Sequence, residues 1–246
     1  MLLWIIATFS AFFVKGLCGF ANTLVFTSIM GFGANNVAIS PVELMLGYPA
    51  NFILTWKNRK RLDPKVFIPL AVLVLAGCIP GALLLKNVNA AFIKVVFGVV
   101  IILIGAEMFL REQGRLKFKE SKPVLAIIGI LSGILCGLFG VGALLAAYVG
   151  RVTESGDEFK ANISAVFIAE NTFRLILYSV MGIITLEGLK QALLLMPVVI
   201  GGLLLGIWSS KVLNEKTVKH LVIILLIASG VALIMLNAVQ IFSICG

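Results

Sequence analysis

The chain has 246 residues, is 61% hydrophobic and 13% charged, and carries a formal net charge of +9. Soluble domains run roughly 45–50% apolar and about 25% charged, so a soluble fold is excluded and lipid is the expected solvent. Nor is the positive charge a nucleic-acid signature: every Lys and Arg except Lys15 and Arg174 lies in a short loop or at a block end, the pattern that orients a membrane protein.

Eight apolar blocks follow one another, at 2–33, 41–56, 64–85, 92–110, 123–150, 161–181, 187–210 and 217–237. A spanning helix takes ~20 apolar residues. The ~10-residue alternating segments of a membrane β-barrel are absent. The first block has no basic stretch before it and no clear cleavage site, so it is expected to remain part of the fold. It is long enough for two half-helices, and its centre, "FFVKGLCGFANTLVF" (12–26), holds Lys15, Gly16, Gly19 and Asn22. Glycine frees the backbone to turn, so a broken helix is predicted at "KGLCGFAN". The second block opens with Pro41. Glu43 is expected in the first turn of its helix, facing the positive dipole end, and Asn51 lies in "GYPANF". At the end of the fourth block, Glu107 and Arg111 have the spacing of a surface ion pair.

The fifth block breaks like the first, at "CGLFGVGA", with Gly137, Gly140 and Gly142. The sixth contains "AENTFR", with Glu170, Asn171 and Arg174. Glu170 and Arg174 are four apart and share a helix face. They form either a structural ion pair or a site where Arg174 holds an oxyanion through its two-pronged donor and Glu170 exchanges a proton. His220 stands alone at a helix start and carries no assignment. The four cysteines lack zinc-like spacing and are expected to be buried free thiols.

An offset of 125 residues aligns Gly77 with Gly202, Gly81 with Gly206, Lys86 with Lys211, Asn89 with Asn214, Lys94 with Lys219 and Gly105 with Gly230. An offset of 121 lays "GLCGFAN" (16–22) on "GLFGVGA" (137–143). The chain is therefore expected to be two repeats, 1–120 and 121–246. If all eight blocks cross, the loops carry 11 Lys and Arg on one side and 7 on the other. If the first block of each half enters and returns on one side, the division is 15 to 3. The second arrangement obeys the charge bias better. It leaves three crossings per half, an odd number, so the halves are inverted. The predicted fold is an all-α polytopic membrane protein of two inverted repeats, each a broken re-entrant helix plus three transmembrane helices.

Irregular backbone at membrane depth is tolerated only where protein or a water-filled cavity satisfies it. A helix start there offers free N–H groups and a positive dipole end. Two such breaks meeting near the midplane would make a cavity for an anion, with Lys15 as an attracting charge. The expected binding residues are Lys15, Gly16, Gly19, Asn22, Asn51, Gly137, Gly140, Gly142, Glu170, Asn171 and Arg174. No nucleotide-binding loop, H-E-x-x-H or Ser–His–Asp set is present, so no enzyme, metal or cofactor is expected. Transport would then draw on an ion gradient or the substrate's own.

The segments "GLCGFAN", "SGILCGLFGVGALLA" and "GCIPGALLLKNVNAAFIKVVFGVVIILIG" together resemble the TauE/SafE sulfite-exporter family over nearly the whole chain. The resemblance implies two repeats of four helices and transport of small sulfur-containing anions such as sulfite or organosulfonates. The expected function is secondary transport by alternating access, in the direction of export, with an anion or small-solute channel as the alternative and a membrane enzyme or scaffold as a third reading. The expected setting is a bacterial plasma membrane, crossed many times. The expected partners are a small anionic substrate and the lipid bilayer, with no nucleic acid; whether the chain forms homo-oligomers stays open at this point.

Overall fold

A computed structural model of the chain describes residues 1–30, 36–87, 122–139 and 142–213, with further helical positions between 95 and 110 and between 217 and 235. Gly140, Asn89, Lys94, Asn214, Lys219, the Glu107–Arg111 spacing and Cys245 fall outside the described residues. The elements are α1 (Leu2–Cys18), α2 (Asn22–Met30), α3 (Asn36–Lys57), a 3-10 turn (Arg59–Arg61), α4 (Pro64–Asn87), α5 (Lys122–Phe139), α6 (Ala143–Val152), α7 (Gly156–Val180) and α8 (Leu186–Val212). The described residues contain no strand.

Pro64–Gly81 of α4, all of α7 and all of α8 are long and apolar enough to cross a membrane. At 1.5 Å per residue α8 spans ~40 Å, against a hydrocarbon core of about 30 Å. By the same measure α2 and α6 span only ~14–15 Å, so neither crosses alone. Large apolar side chains face outward along these helices, among them Val72, Ile79, Val180, Leu194, Leu204 and Trp208. That surface suits hydrocarbon, not water.

Both interrupted segments occur where glycine clusters. The helix α1 stops at Cys18 because Gly19 turns left-handed, φ 88°, while its N–H closes back on Lys15 O at 2.7 Å. A left-handed glycine is a common way to end a helix. Ala21 also has positive φ, 69°, an unusual setting for a residue with a Cβ. The chain then reverses: α2 runs back along α1, so that the Phe26 ring meets Trp4 edge-on at 5.8 Å. In the second segment α5 ends at Phe139 and α6 begins at Ala143 after Gly142.

One expectation fails. The helix carrying Glu43 starts at Asn36, seven residues earlier, and continues through Pro41 and Pro49. Glu43 is therefore in its third turn and 3% exposed, too far in to owe its place to the α3 dipole end. The cysteine expectation holds for Cys18, Cys78 and Cys136, which are buried thiols in no disulfide among the described residues.

The helix α1 packs most extensively on α8, and α4 on α5. Added Cβ atoms at Gly202 and Gly206 would strike the backbone of Phe9 and Phe13, and those at Gly77 and Gly81 would strike the backbone of Ile130 and Ile134. Phe9 and Phe13 become Ile130 and Ile134 at the offset of 121, and Gly77 and Gly81 become Gly202 and Gly206 at the offset of 125. The two interfaces thus use equivalent residues. Both depend on close backbone approach, which small residues permit and which drives helix association in lipid. Between these pairs α3 crosses α7, joined by Tyr48 OH and Thr172 Oγ1 at 2.9 Å. The loop after α3 meets the start of α7, where Asp63 N–H donates to Asn162 Oδ1 at 3.0 Å.

Candidate anion site between the two breaks

A small cavity opens at the start of α2. Its wall comprises Lys15, Phe20, Ala21, Asn22, Thr23, Leu24, Glu43, Asn51, Gly142, Phe167 and Asn171. Lys15, from the last turn of α1, is 1% exposed. Its Nζ donates to Asn22 Oδ1 at 2.8 Å and lies 5.5 Å from the centre of the Phe167 ring, within reach of a cation–π attraction. Asn22 Nδ2 donates to Glu43 Oε1, which also accepts from Thr23 Oγ1 at 2.8 Å. A chain of hydrogen bonds therefore joins a buried ammonium to a buried carboxylate across the first turn of α2. An uncompensated charge at this depth is costly, so the pairing explains how both are held.

Two helix starts border the same place. The helical ladder of α2 starts with Val25 N–H on Ala21 O, 3.1 Å; the amides of Asn22, Thr23 and Leu24 precede it. In α6 it starts with Ala146 N–H on Gly142 O, 2.8 Å, and Gly142 is itself in the cavity wall. A Cβ at Gly142 would overlap the Phe167 ring, so any larger residue here must push that ring aside. The site thus combines two helix starts, one ammonium, and the amides of Asn22, Asn51 and Asn171. Asn51 Oδ1 is buried without a partner among the described residues. The free space is ≈ 20 Å³, room for about one water and too little for a sulfur oxyanion.

The predicted residues do not all meet in this cavity. Lys15, Asn22, Asn51, Gly142 and Asn171 line it. Gly16 instead faces α8, against Leu203 O, Ile207 N and Gly206 Cα, and Gly19 faces Lys160. The Lys160 Nζ donates to Gly16 O at 3.2 Å and to Ser210 Oγ at 2.9 Å, placing a cation at the carbonyl end of α1 where the dipole favours it. Gly137 lies within α5. Glu170 and Arg174 form their i,i+4 pair, Nη1 to Oε1 at 3.4 Å, outside the cavity wall. Arg174 Nη2 also donates to Ser40 Oγ and Tyr178 OH, each at 3.1 Å, and its Nε is buried with no partner among the described residues.

Besides the apolar wall residues Phe20, Ala21, Leu24 and Phe167, the expected set lacked two polar ones, Thr23 and Glu43, and the neighbouring Gly47. Gly47 sits where a Cβ would come within 3.3 Å of Asn22 Nδ2 and 3.6 Å of Glu43 Oε1, so its bare backbone leaves room for the bridge. A signal existed. Glu43, Gly47 and Asn51 are four apart and stripe one face of α3.

The described residues contain no group of His, Cys, Asp and Glu that could hold a metal ion. The family model "Sulfite exporter TauE/SafE" matches residues 4–233. No curated protein and no solved structure matches the chain.

Proposed function

The chain belongs to the sulfite exporter TauE/SafE family, and from that premise we propose that it is a secondary transporter which moves sulfite or an organosulfonate out across a bacterial plasma membrane by alternating access. The protein is a membrane protein of a transport family; the substrate, direction and mechanism are our reading. The observation that carries it is the buried Lys15 ammonium beside the start of α2. A cation beside a helix start favours an oxyanion. A cavity with room for about one water must widen to admit substrate, which favours a carrier that changes shape over a permanently open channel. In proteoliposomes, sulfite flux is expected to saturate and to accelerate when sulfite is supplied on the far side, the signature of a carrier. Flux strictly proportional to concentration would point to a channel.

We also read the two halves, 1–120 and 121–246, as inverted repeats with re-entrant first segments. The equivalent interfaces α1–α8 and α4–α5 support this, as does the return of α2 along α1. So do the contacts of Asp63 with Asn162 and of Lys160 with Ser210, which bring three of the basic or mixed loops toward one end. Single cysteines at Asn58, Ser155 and Gly182, in a background freed of native cysteine, report the arrangement. Membrane-impermeant labelling is expected at Asn58 and Ser155 from one side and at Gly182 from the other. Asn58 labelling with Gly182 and opposite Ser155 is the outcome of eight simple crossings.

A further inference from the structure

We propose that Glu43 is an internal stand-in for the transported anion, and that it gives up its place at the start of α2, taking one proton, each time an anion binds there. The proposal rests on the transporter reading above and assigns its coupling.

The Glu43 carboxylate already sits where an anion should. It accepts from Thr23 Oγ1 and Asn22 Nδ2, the two side chains that open α2, at a helix end whose dipole favours negative charge. The adjoining space of ≈ 20 Å³ holds about one water. An oxyanion therefore cannot settle against α2 while the carboxylate remains.

Charge balance leads to the same step. The charged groups around Glu43 are Lys15 from α1 and Glu170 and Arg174 from α7. The sequence of α2 has no titratable residue, and Glu187, Lys190 and Lys211 of α8 are exposed at its ends. Lys160 is engaged elsewhere, by Gly16 O and Ser210 Oγ. Two cations and two carboxylates thus cancel. A monoanion added to them leaves one uncompensated negative charge at membrane depth, which is strongly disfavoured. A proton taken from water onto the Glu43 carboxylate restores the balance. An O–H bond forms on Glu43, Lys15 keeps its own proton and turns from Asn22 to the anion, and the net charge stays constant. Anion and proton then travel together.

Calorimetric titration of the purified full chain, in two buffers of different protonation enthalpy, counts protons taken up per anion bound. The probes are methanesulfonate, a monoanion throughout the working range, and sulfite. Wild type is expected to take up about one proton per methanesulfonate and to bind about tenfold tighter for each unit fall in pH. Glu43→Gln, which mimics the protonated acid, is expected to bind methanesulfonate with no uptake and no pH dependence. With sulfite, which protonates itself, its uptake is expected to fall about one proton below wild type. Glu170→Gln is expected to keep the uptake. No uptake by wild type, a measurement that needs no variant to fold, overturns the proposal while leaving the transporter reading in place. So does uptake retained in Glu43→Gln, or lost in Glu170→Gln. Binding of neither anion to wild type removes the transporter reading and this inference together.

Discussion

Lys15→Met lowers anion affinity by about 10- to 100-fold, the loss expected when a charge-assisted hydrogen bond worth roughly 1.5–3 kcal/mol disappears. Lys15 is the one cation among the described residues of the cavity wall, and methionine keeps an unbranched apolar side chain in its place. The substitution has a second consequence. It leaves Asn22 Oδ1 without its donor and removes one of the two cations around Glu43, so it also destabilises the fold, by about 3–5 kcal/mol on the scale of other broken buried pairs. The two effects separate in a double variant. Lys15→Met with Glu43→Gln removes both charges, and its melting temperature is expected to recover toward wild type while its affinity stays low. Sulfite titration calorimetry and thermal melting followed by intrinsic fluorescence read the two quantities on the same samples. Wild-type affinity in Lys15→Met takes this lysine out of the binding site.

Gly16→Ala is expected to lower the melting temperature by about 5–10 °C, from an overpacking cost near the top of the usual 1–3 kcal/mol range. The added methyl carbon meets Leu203 O, Ile207 N and Gly206 Cα of α8, all backbone atoms. A side chain could swing aside, but a helix backbone cannot, so α1 and α8 must separate along the whole contact. Gly201 supplies the control. It lies in α8 only a few residues away, yet a Cβ there meets nothing within 4 Å. Gly201→Ala is expected to leave the melting temperature unchanged or to raise it, since alanine is favoured over glycine within helices by about 0.5–1 kcal/mol. Similar losses in both variants would mean that backbone flexibility, not the tight α1–α8 approach, is what Gly16 provides.

The same residue illustrates the limit of reading a linear pattern. Gly16 and Gly19 stand in one short cluster with Lys15 and Asn22, and the sequence offers no reason to divide them. In the fold they do three different things. Lys15 and Asn22 face the cavity, Gly16 presses on α8, and Gly19 turns the chain against Lys160. Glu43 was misread for a related reason. Proline is a common opening residue of a helix, so Pro41 marked a start, and the acid two residues later looked like a dipole partner. The helix in fact begins at Asn36, and Glu43 meets α2 because of how α3 packs.

Much was nonetheless set by the chain itself. Composition demanded lipid. The 125- and 121-residue offsets connect the residues of the two helix interfaces, and with the loop charges they are the ground of our proposal of two related halves. Glycine at Gly19 and Gly142 marked the breaks, because backbone freedom is a local property that each residue carries with it. The spacing of Glu170 and Arg174 announced their pair, for helical neighbours are set by local geometry alone. What only the tertiary structure decided is which of these local features meet. Lys15, Thr23, Glu43, Gly142 and Phe167 come from five separate helices or helix ends, and their convergence depends on close backbone packing at distant glycines. Hydrogen bonds such as those joining Lys15, Asn22 and Glu43 form only once that packing has excluded water and lipid from the space between them.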